Sequence, residues 1–232
     1  MTTTTNWRIV AWVQRQCPAA PFREKGLLRK PARLALLCAG ICWATFMAVG
    51  LHVLSRYAST PAQPADVSRR WPSQTSIPRS FDRATLLMFV HPKCPCTRAS
   101  LGELDLLMTR CHDRVSTIMI VVEPVDAPPD WSQSDLVTSA ARIPGLAVVQ
   151  DAGGIEAARF HVSTSGQTIL YDAGGNLLFH GGITSARGHA GDNDGRAAIV
   201  SLLTRGKAER AETPVYGCSL YHCEAGNNPG GS

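Results

Sequence analysis

The stretch that most constrains this chain is "LALLCAGICWATFMAVGLHVL", Leu34 to Leu54, 21 residues without an acid, Lys or Arg. The hydrocarbon core of a bilayer is about 30 Å thick and a helix rises about 1.5 Å per residue, so the run has the length of one crossing. A secretory signal carries an apolar stretch of only about 7–15 residues, which points to a retained transmembrane helix over 34–54 rather than a cleaved leader. Neither Cys38 nor Cys42 follows the small residue of a lipoprotein cleavage site, and both read as small apolar residues of the helix. Residues 1–33 hold seven Lys/Arg against one acid, and the rest of the chain 16 against 17, so the net charge of +5 is gathered in an arm beside the apolar run. Such an arm stays in the cytoplasm. The chain beyond the helix is then expected on the far side of the cytoplasmic (inner) membrane, in a periplasmic or other extracytoplasmic space. The "NWRIVAWV" stretch inside the arm reads as part of a tail. Nucleic-acid binding is excluded, because it needs a basic face on the folded part and the basic residues here lie outside it.

Residues 55–80 carry Pro61, Pro64, Pro72 and Pro78 among Ser, Thr, Ala and Gln, a linker composition that does not build a core. A domain is expected over 81–220, with 221–232 as a flexible tail rich in Gly and Asn. Cys17 stays on the cytoplasmic side as a reduced bystander. Cys94, Cys96, Cys111, Cys218 and Cys223 face an oxidising space where disulfides persist, and their odd number leaves at least one thiol free or transiently paired.

Within the domain, "ATLLMFV" (Ala84 to Val90) has no polar alternation and predicts a strand buried on both faces. Leu101, Leu104, Met108 and Cys111 recur at intervals of three and four, which predicts a helix with Cys111 on its apolar face as a buried structural thiol. "STIMIVVEPV" predicts a second buried strand before a turn at Pro128–Pro129, and Ser132 to Arg142 a helix capped by Ser132 and stopped at Gly145. "LAVVQD" predicts a strand, "GIEAARFHV" a short helix, and the two runs around "DAGGN" a hairpin. Asp194 is expected to cap a last helix reaching about Thr204. The order β-α-β-α-β-α-β-β-α makes an α/β domain, a central mixed sheet flanked by helices.

Between the first strand and its helix stands "HPKCPC". With Cys94 as N-cap, Pro95 falls at the first helical position, where its missing N–H costs nothing. The backbone N–H groups of Cys96 and Thr97 and the helix dipole would then favour a thiolate on Cys94. His91 and Lys93 would add positive charge, and Pro92 lines the site. A thiolate in the exposed mouth after a strand is a competent nucleophile. Two cysteines that merely fill space explain neither the proline between them nor their place. Positions i and i+2 of a helix do not face each other, so a Cys94–Cys96 disulfide needs a distorted first turn and would be a labile oxidant. Otherwise Cys94 exchanges with a third thiol, for which Cys218 in "TPVYGCSLYHCEA" is the candidate if the tail folds back; the alternative is a structural Cys218–Cys223 loop.

The "FVHPKCPC" element after a buried strand resembles the strand-to-helix active site of the thioredoxin superfamily. The tethered form is similar to the TlpA-like thiol–disulfide oxidoreductases. "HPKCPCTRASLGEL", "HGGITSARGHAGDN" and "TPVYGCSL" together resemble the bacterial RedB-type thioredoxin-like proteins, over about 81–220. The resemblance implies a thioredoxin-like fold and redox activity at Cys94 and Cys96. Thioredoxins place two residues between their cysteines and a cis-proline beside the site; this chain has one residue, and Gly166 near the proline's position. A redox-active disulfide needs no cofactor, and the expected partner is a protein thiol or disulfide near the membrane.

Metal binding is the alternative chemistry. Cys94 and Cys96 with His91 would suit copper, with His180, His189, His222 or Cys218 as further ligands. The Sco-type copper chaperones that such a site resembles use a longer Cys spacing. A non-catalytic binding module with a static disulfide is a third reading. Peroxiredoxins need a Pro-x-x-x-Thr/Ser-x-x-Cys pattern, but Pro92 is two residues from Cys94. "GDNDG" (Gly191 to Gly195) lacks the ligand series of a calcium loop.

Overall fold

The computed structural model describes residues 30–221 except 126, 129, 130, 132 and 133. Most of the basic arm with Cys17, the Pro129 half of the expected turn, the Ser132 cap, His222, Cys223 and nearly all of the C-terminal tail lie outside them. Any Cys218–Cys223 pairing therefore lies outside them too. The chain divides into two compact units at Gly50/Leu51.

The apolar run lies within helix α1, Lys30–Ser59, which is 30 residues long and buries none of them. A window of it reaches a mean hydropathy of 2.1, so this helix near the N-terminus is long and apolar enough to cross a membrane.

In the second unit β1 (Ala84–Val90), α2 (Pro95–Cys111), β2 (Val115–Glu123), α3 (Asp135–Ala140), β3 (Leu146–Ala152), α4 (Ile155–Arg159), β4 (Gln167–Tyr171), β5 (Leu177–Gly182) and α5 (Asp194–Arg205) succeed one another in the expected alternation. The sheet order is β3-β2-β1-β4-β5. β1, β2 and β3 run parallel, β4 is antiparallel to β1, and β5 is antiparallel to β4. A parallel β-α-β unit joined to an antiparallel β-β-α unit, with β1 at the centre, is a thioredoxin-like fold; α3, β3 and α4 extend it.

The unbroken apolar run of β1 matches its central place. Leu86, Met88 and Val90 pack on one face with Leu104, Met108 and Ile199 of the helices. Leu87 and Phe89 pack on the other with Ala157, Phe160 and Tyr171. Each such fully buried side chain contributes about 1.5–3 kcal/mol relative to exposure. Cys111, 1% exposed, belongs to the first face, where burial pushes its thiol pKa up.

Three expectations are corrected. The expected linker over 55–80 does not lie wholly outside the core: Val67 and Ile77 are buried in the second face. Trp71 sets its edge against Phe160 and Tyr171 at 5.3 and 5.2 Å. The buried Glu156 carboxylate accepts from Thr75 and Ser76. Isolated apolar residues in a Pro-rich stretch show no periodicity, yet an extended segment can still lay them on a sheet. Helix α3 is shorter than expected and starts from Ser134, whose hydroxyl accepts from the Val137 N–H at 3.3 Å. Helix α5 is capped by Asn193, whose Oδ1 accepts from the Arg196 N–H at 2.8 Å, with Asp194 in the first turn, where its charge suits the dipole.

Candidate thiol site

β1 ends at Val90, and three residues, His91, Pro92 and Lys93, carry the chain to Cys94. Cys94 is extended (φ −81°, ψ 116°) and is the N-cap of α2, with Pro95 at the first helical position. The Cys94 N–H donates to the His91 carbonyl at 3.0 Å, and the Thr97 N–H donates to the Cys94 carbonyl at 3.2 Å. The junction is thus fixed by its own backbone.

Cys94 does not stand in an exposed mouth. It is 3% exposed and Cys96 8%, because the segment around Cys218 lies over them. Sγ of Cys218 is 3.0 Å from Sγ of Cys94. The segment is held by main-chain pairing. The Ser165 N–H donates to the Cys218 carbonyl at 2.8 Å, the Leu220 N–H donates to the Ser163 carbonyl at 2.9 Å, and Thr164 and Ser219 form an antiparallel bridge. Leu220 then anchors its end in the second core face. Gly217 makes the approach possible, since a Cβ there would overlap the Ser165 carbonyl. Arg187, in the loop between β5 and α5, donates from Nη1 to the Gly217 carbonyl at 2.6 Å.

These contacts divide the thiols. The Cys218 thiol against it holds the Cys94 pKa well below the usual range despite burial, and the Thr97 hydroxyl and N–H add to the effect. Cys218 is pushed up, first by its bond to Cys94, then by burial and by the charges of Cys94 and Cys96; Arg187 opposes. Cys96 is pushed up by burial and by the Cys94 charge, again with Arg187 opposing. The contact thus favours a thiolate on Cys94 and the proton on Cys218.

The flanking residues act differently from the sequence expectation. His91 is buried, which lowers its pKa and leaves the ring neutral, so it supplies no positive charge. Its ring meets the Trp131 ring at 4.6 Å, and neither ring nitrogen has a hydrogen-bond partner among the described residues. The Lys93 ammonium lies 5.2 Å from the Trp131 ring centroid. Pro92 is buried and Pro95 exposed. Gly166 has φ +85°, its N–H donates to the Phe89 carbonyl at 2.8 Å, and a Cβ on it would come 3.0 Å from Ser100 Oγ. It packs between β1 and α2, and its neighbour Ser165 makes the contacts to the site.

Two contributors have no motif of their own, Ser165 and Arg187, while Thr97, expected to act through its N–H, acts through its hydroxyl as well. Ser165 Oγ accepts from the His91 N–H at 2.8 Å and shares a hydrogen bond with Thr97 Oγ1 at 2.7 Å. Ser165 stands beside Gly166, and Arg187 inside the "HGGITSARGHAGDN" stretch. Those two adjacencies are the only signal the sequence offered.

Among the described residues no group of three or more His, Cys, Asp or Glu side chains is placed to hold a metal ion, the set of Cys94, Cys96 and His91 included. His180 lies on β5 with Nε2 3.8 Å from Glu212, and His189 is exposed on a loop.

No family model and no curated protein matches the chain. Among solved structures, it is similar to a hypothetical protein from Sinorhizobium meliloti 1021, with 18% identity over 71% of this chain and 99% of the other, at a TM-score of 0.56. It is also similar to an uncharacterized conserved protein from Geobacillus kaustophilus, with 18% identity over 73% and 94%, at 0.53. The pneumococcal exposed lipoprotein thioredoxin Etrx1 from Streptococcus pneumoniae strain TIGR4 matches at 18% identity over 53% and 84%, with a TM-score of 0.40. Strand order and connections lead to one conclusion: the chain carries a domain of thioredoxin-like fold.

Proposed function

We propose that this chain is a membrane-tethered thiol–disulfide oxidoreductase acting outside the cytoplasmic membrane, through Cys94 as nucleophile and Cys218 as resolving thiol. The observation that carries the reading is the 3.0 Å contact between these two sulfurs at the N-terminus of α2.

The Cys94 thiolate attacks one sulfur of a substrate disulfide when the Cys218 segment swings aside. The substrate S–S bond breaks, one substrate thiolate leaves and takes a proton, and a mixed disulfide joins Cys94 to the other half. Cys218 then gives up its proton and attacks Cys94 Sγ. The mixed disulfide breaks, the second substrate thiol leaves, and a Cys94–Cys218 disulfide remains. The substrate has gained two electrons and the protein has lost two; a dithiol reductant restores the pair, and the reverse sequence oxidises a substrate dithiol. Cys96 stays a thiol, because α2 is regular from Pro95 and a Cys94–Cys96 bond would distort its first turn. The partner is a protein thiol or disulfide held near the same membrane by its own tether or location.

The test is disulfide exchange by the full chain, with rapid alkylation and disulfide mapping. Cys94→Ser is expected to abolish exchange and Cys111→Ser to leave it intact. Undiminished exchange in the Cys94 variant overturns the proposal.

A further inference from the structure

Arg187 touches three parts of the site at once. Its Nη1 donates to the carbonyl of Gly217, the residue before Cys218, at 2.6 Å. Its charge lies beside the Cys96 and Cys218 sulfurs. Its Cζ is 5.0 Å from the centroid of Tyr57 near the end of α1, and its own N–H donates to the Ala58 carbonyl at 3.0 Å. The residue is therefore held at its main chain by Ala58 and at its guanidinium by Tyr57 and Gly217, and its reach is set.

We infer that Arg187 is the positioning residue of the second half-reaction: it holds the Gly217–Cys218 segment against Cys94 and supplies the positive charge under which Cys218 gives up its proton. The inference rests on the exchange reaction proposed above and assigns a residue to one of its steps.

The charges around Cys218 change between the two steps. In the resting pair the Cys94 thiolate is what chiefly keeps the proton on Cys218. In the mixed disulfide Cys94 is neutral, and that hold is gone. Burial and the neighbouring Cys96 of α2 still oppose a Cys218 thiolate, the His91 ring after β1 is neutral, and the Lys93 ammonium lies over Trp131. Among the described residues Arg187 is a group whose charge favours the thiolate. It plays no comparable part in the first step, since the Cys94 thiolate is held by Cys218 and Thr97. In the second step Cys218–SH and the Cys94–substrate disulfide become the Cys94–Cys218 disulfide and a substrate thiol, so atoms and electrons balance. The fixed hydrogen bond to Gly217 also keeps the attacking sulfur in line, which a mobile tail would not do.

The experiment uses the full chain in detergent micelles with Cys17, Cys38, Cys42, Cys111 and Cys223 replaced, mixed with glutathione disulfide, acid-quenched and weighed intact. In this parent, glutathionylated protein should rise and then fall as the Cys94–Cys218 disulfide forms. In Arg187→Met the rise should stay within about twofold. The fall should slow by about tenfold or more, the scale of a lost charge-assisted hydrogen bond, and its pH midpoint should move upward. Arg187→Lys, which restores the charge, should return the midpoint toward that of the parent. An unchanged fall in Arg187→Met, or a rise and fall slowed by the same factor, overturns the inference while leaving the exchange reaction standing. A parent that is never glutathionylated overturns the exchange reaction and this inference with it.

Discussion

The sulfurs of Cys94 and Cys218 lie 3.0 Å apart although 124 positions separate them in the chain. The contact is set by the main chain on both sides: by the N-cap geometry of Cys94 and by the bridge of 163–165 to 218–220.

Because Cys218 is the largest cause of the low Cys94 pKa, Cys94 should remain alkylated at pH values well below the ordinary thiol pKa of about 8.5. Cys96, pushed up by burial and by the Cys94 charge, should react only at alkaline pH. In Cys218→Ala the midpoint for Cys94 should move upward, read by iodoacetamide labelling and peptide mapping. An unmoved midpoint would show that Cys218 does not stabilise the thiolate.

The shared proton also shapes stability. Above the lowered Cys94 pKa and below the ordinary thiol value, the folded pair binds one proton where the unfolded chain binds two, so stability rises with pH. Above the ordinary value the unfolded thiols bind none while the raised Cys218 still binds one, so stability falls. The stability difference between the reduced chain and Cys218→Ala should therefore peak near pH ~8.5. Urea midpoints followed by near-UV circular dichroism across that range test this, and a difference flat with pH would contradict it.

Gly217→Ala should unseat the Cys218 segment, because a Cβ collides with the Ser165 carbonyl. Losing the two main-chain hydrogen bonds to Ser163 and Ser165, each about 1 kcal/mol, corresponds to a roughly thirtyfold weaker closure. Oxidation with a mild disulfide and subsequent mapping should show far less Cys94–Cys218 bond, and a normal yield would rule out this account of the glycine.

Glu103 is 1% exposed, pairs with Arg196 at 3.2 Å, and accepts from the Gly191 N–H and Asn193 Nδ2 at 2.7 and 3.1 Å. It ties α2 to the loop before α5. Glu103→Ala leaves Arg196 without this partner in a mostly buried place and should cost about 3–5 kcal/mol in a urea titration. Loss of less than about 1 kcal/mol would mean water replaces the carboxylate.

The features legible in the sequence were those carried by neighbouring residues. The apolar run of β1, the three-and-four spacing of α2, the "DAGGN" hairpin and the Cys94-Pro95 cap each lie within a few residues of one another, and the structure has each of them. Arg187 and Ser165 were not legible as site residues because their part arises from pairing across distant segments. Val67 and Ile77 were hidden for a related reason: two apolar residues in an extended Pro-rich stretch form no pattern until a sheet face is there to receive them. The burial of Cys94 likewise depends on a segment from the far end of the chain.

The segment that carries Cys218 is joined to α5 by the stretch 206–216. A group on so short a tether meets its site at an effective concentration of order millimolar. A dissolved polypeptide of equal affinity for the 163–165 edge loses that competition unless it is present at a comparable level. With the chain tethered as proposed, a partner fastened to the same bilayer, and so confined to a thin layer at its surface, would reach such a level without being abundant. The resident segment would thereby turn the proposed thiol chemistry into a test of who is nearby.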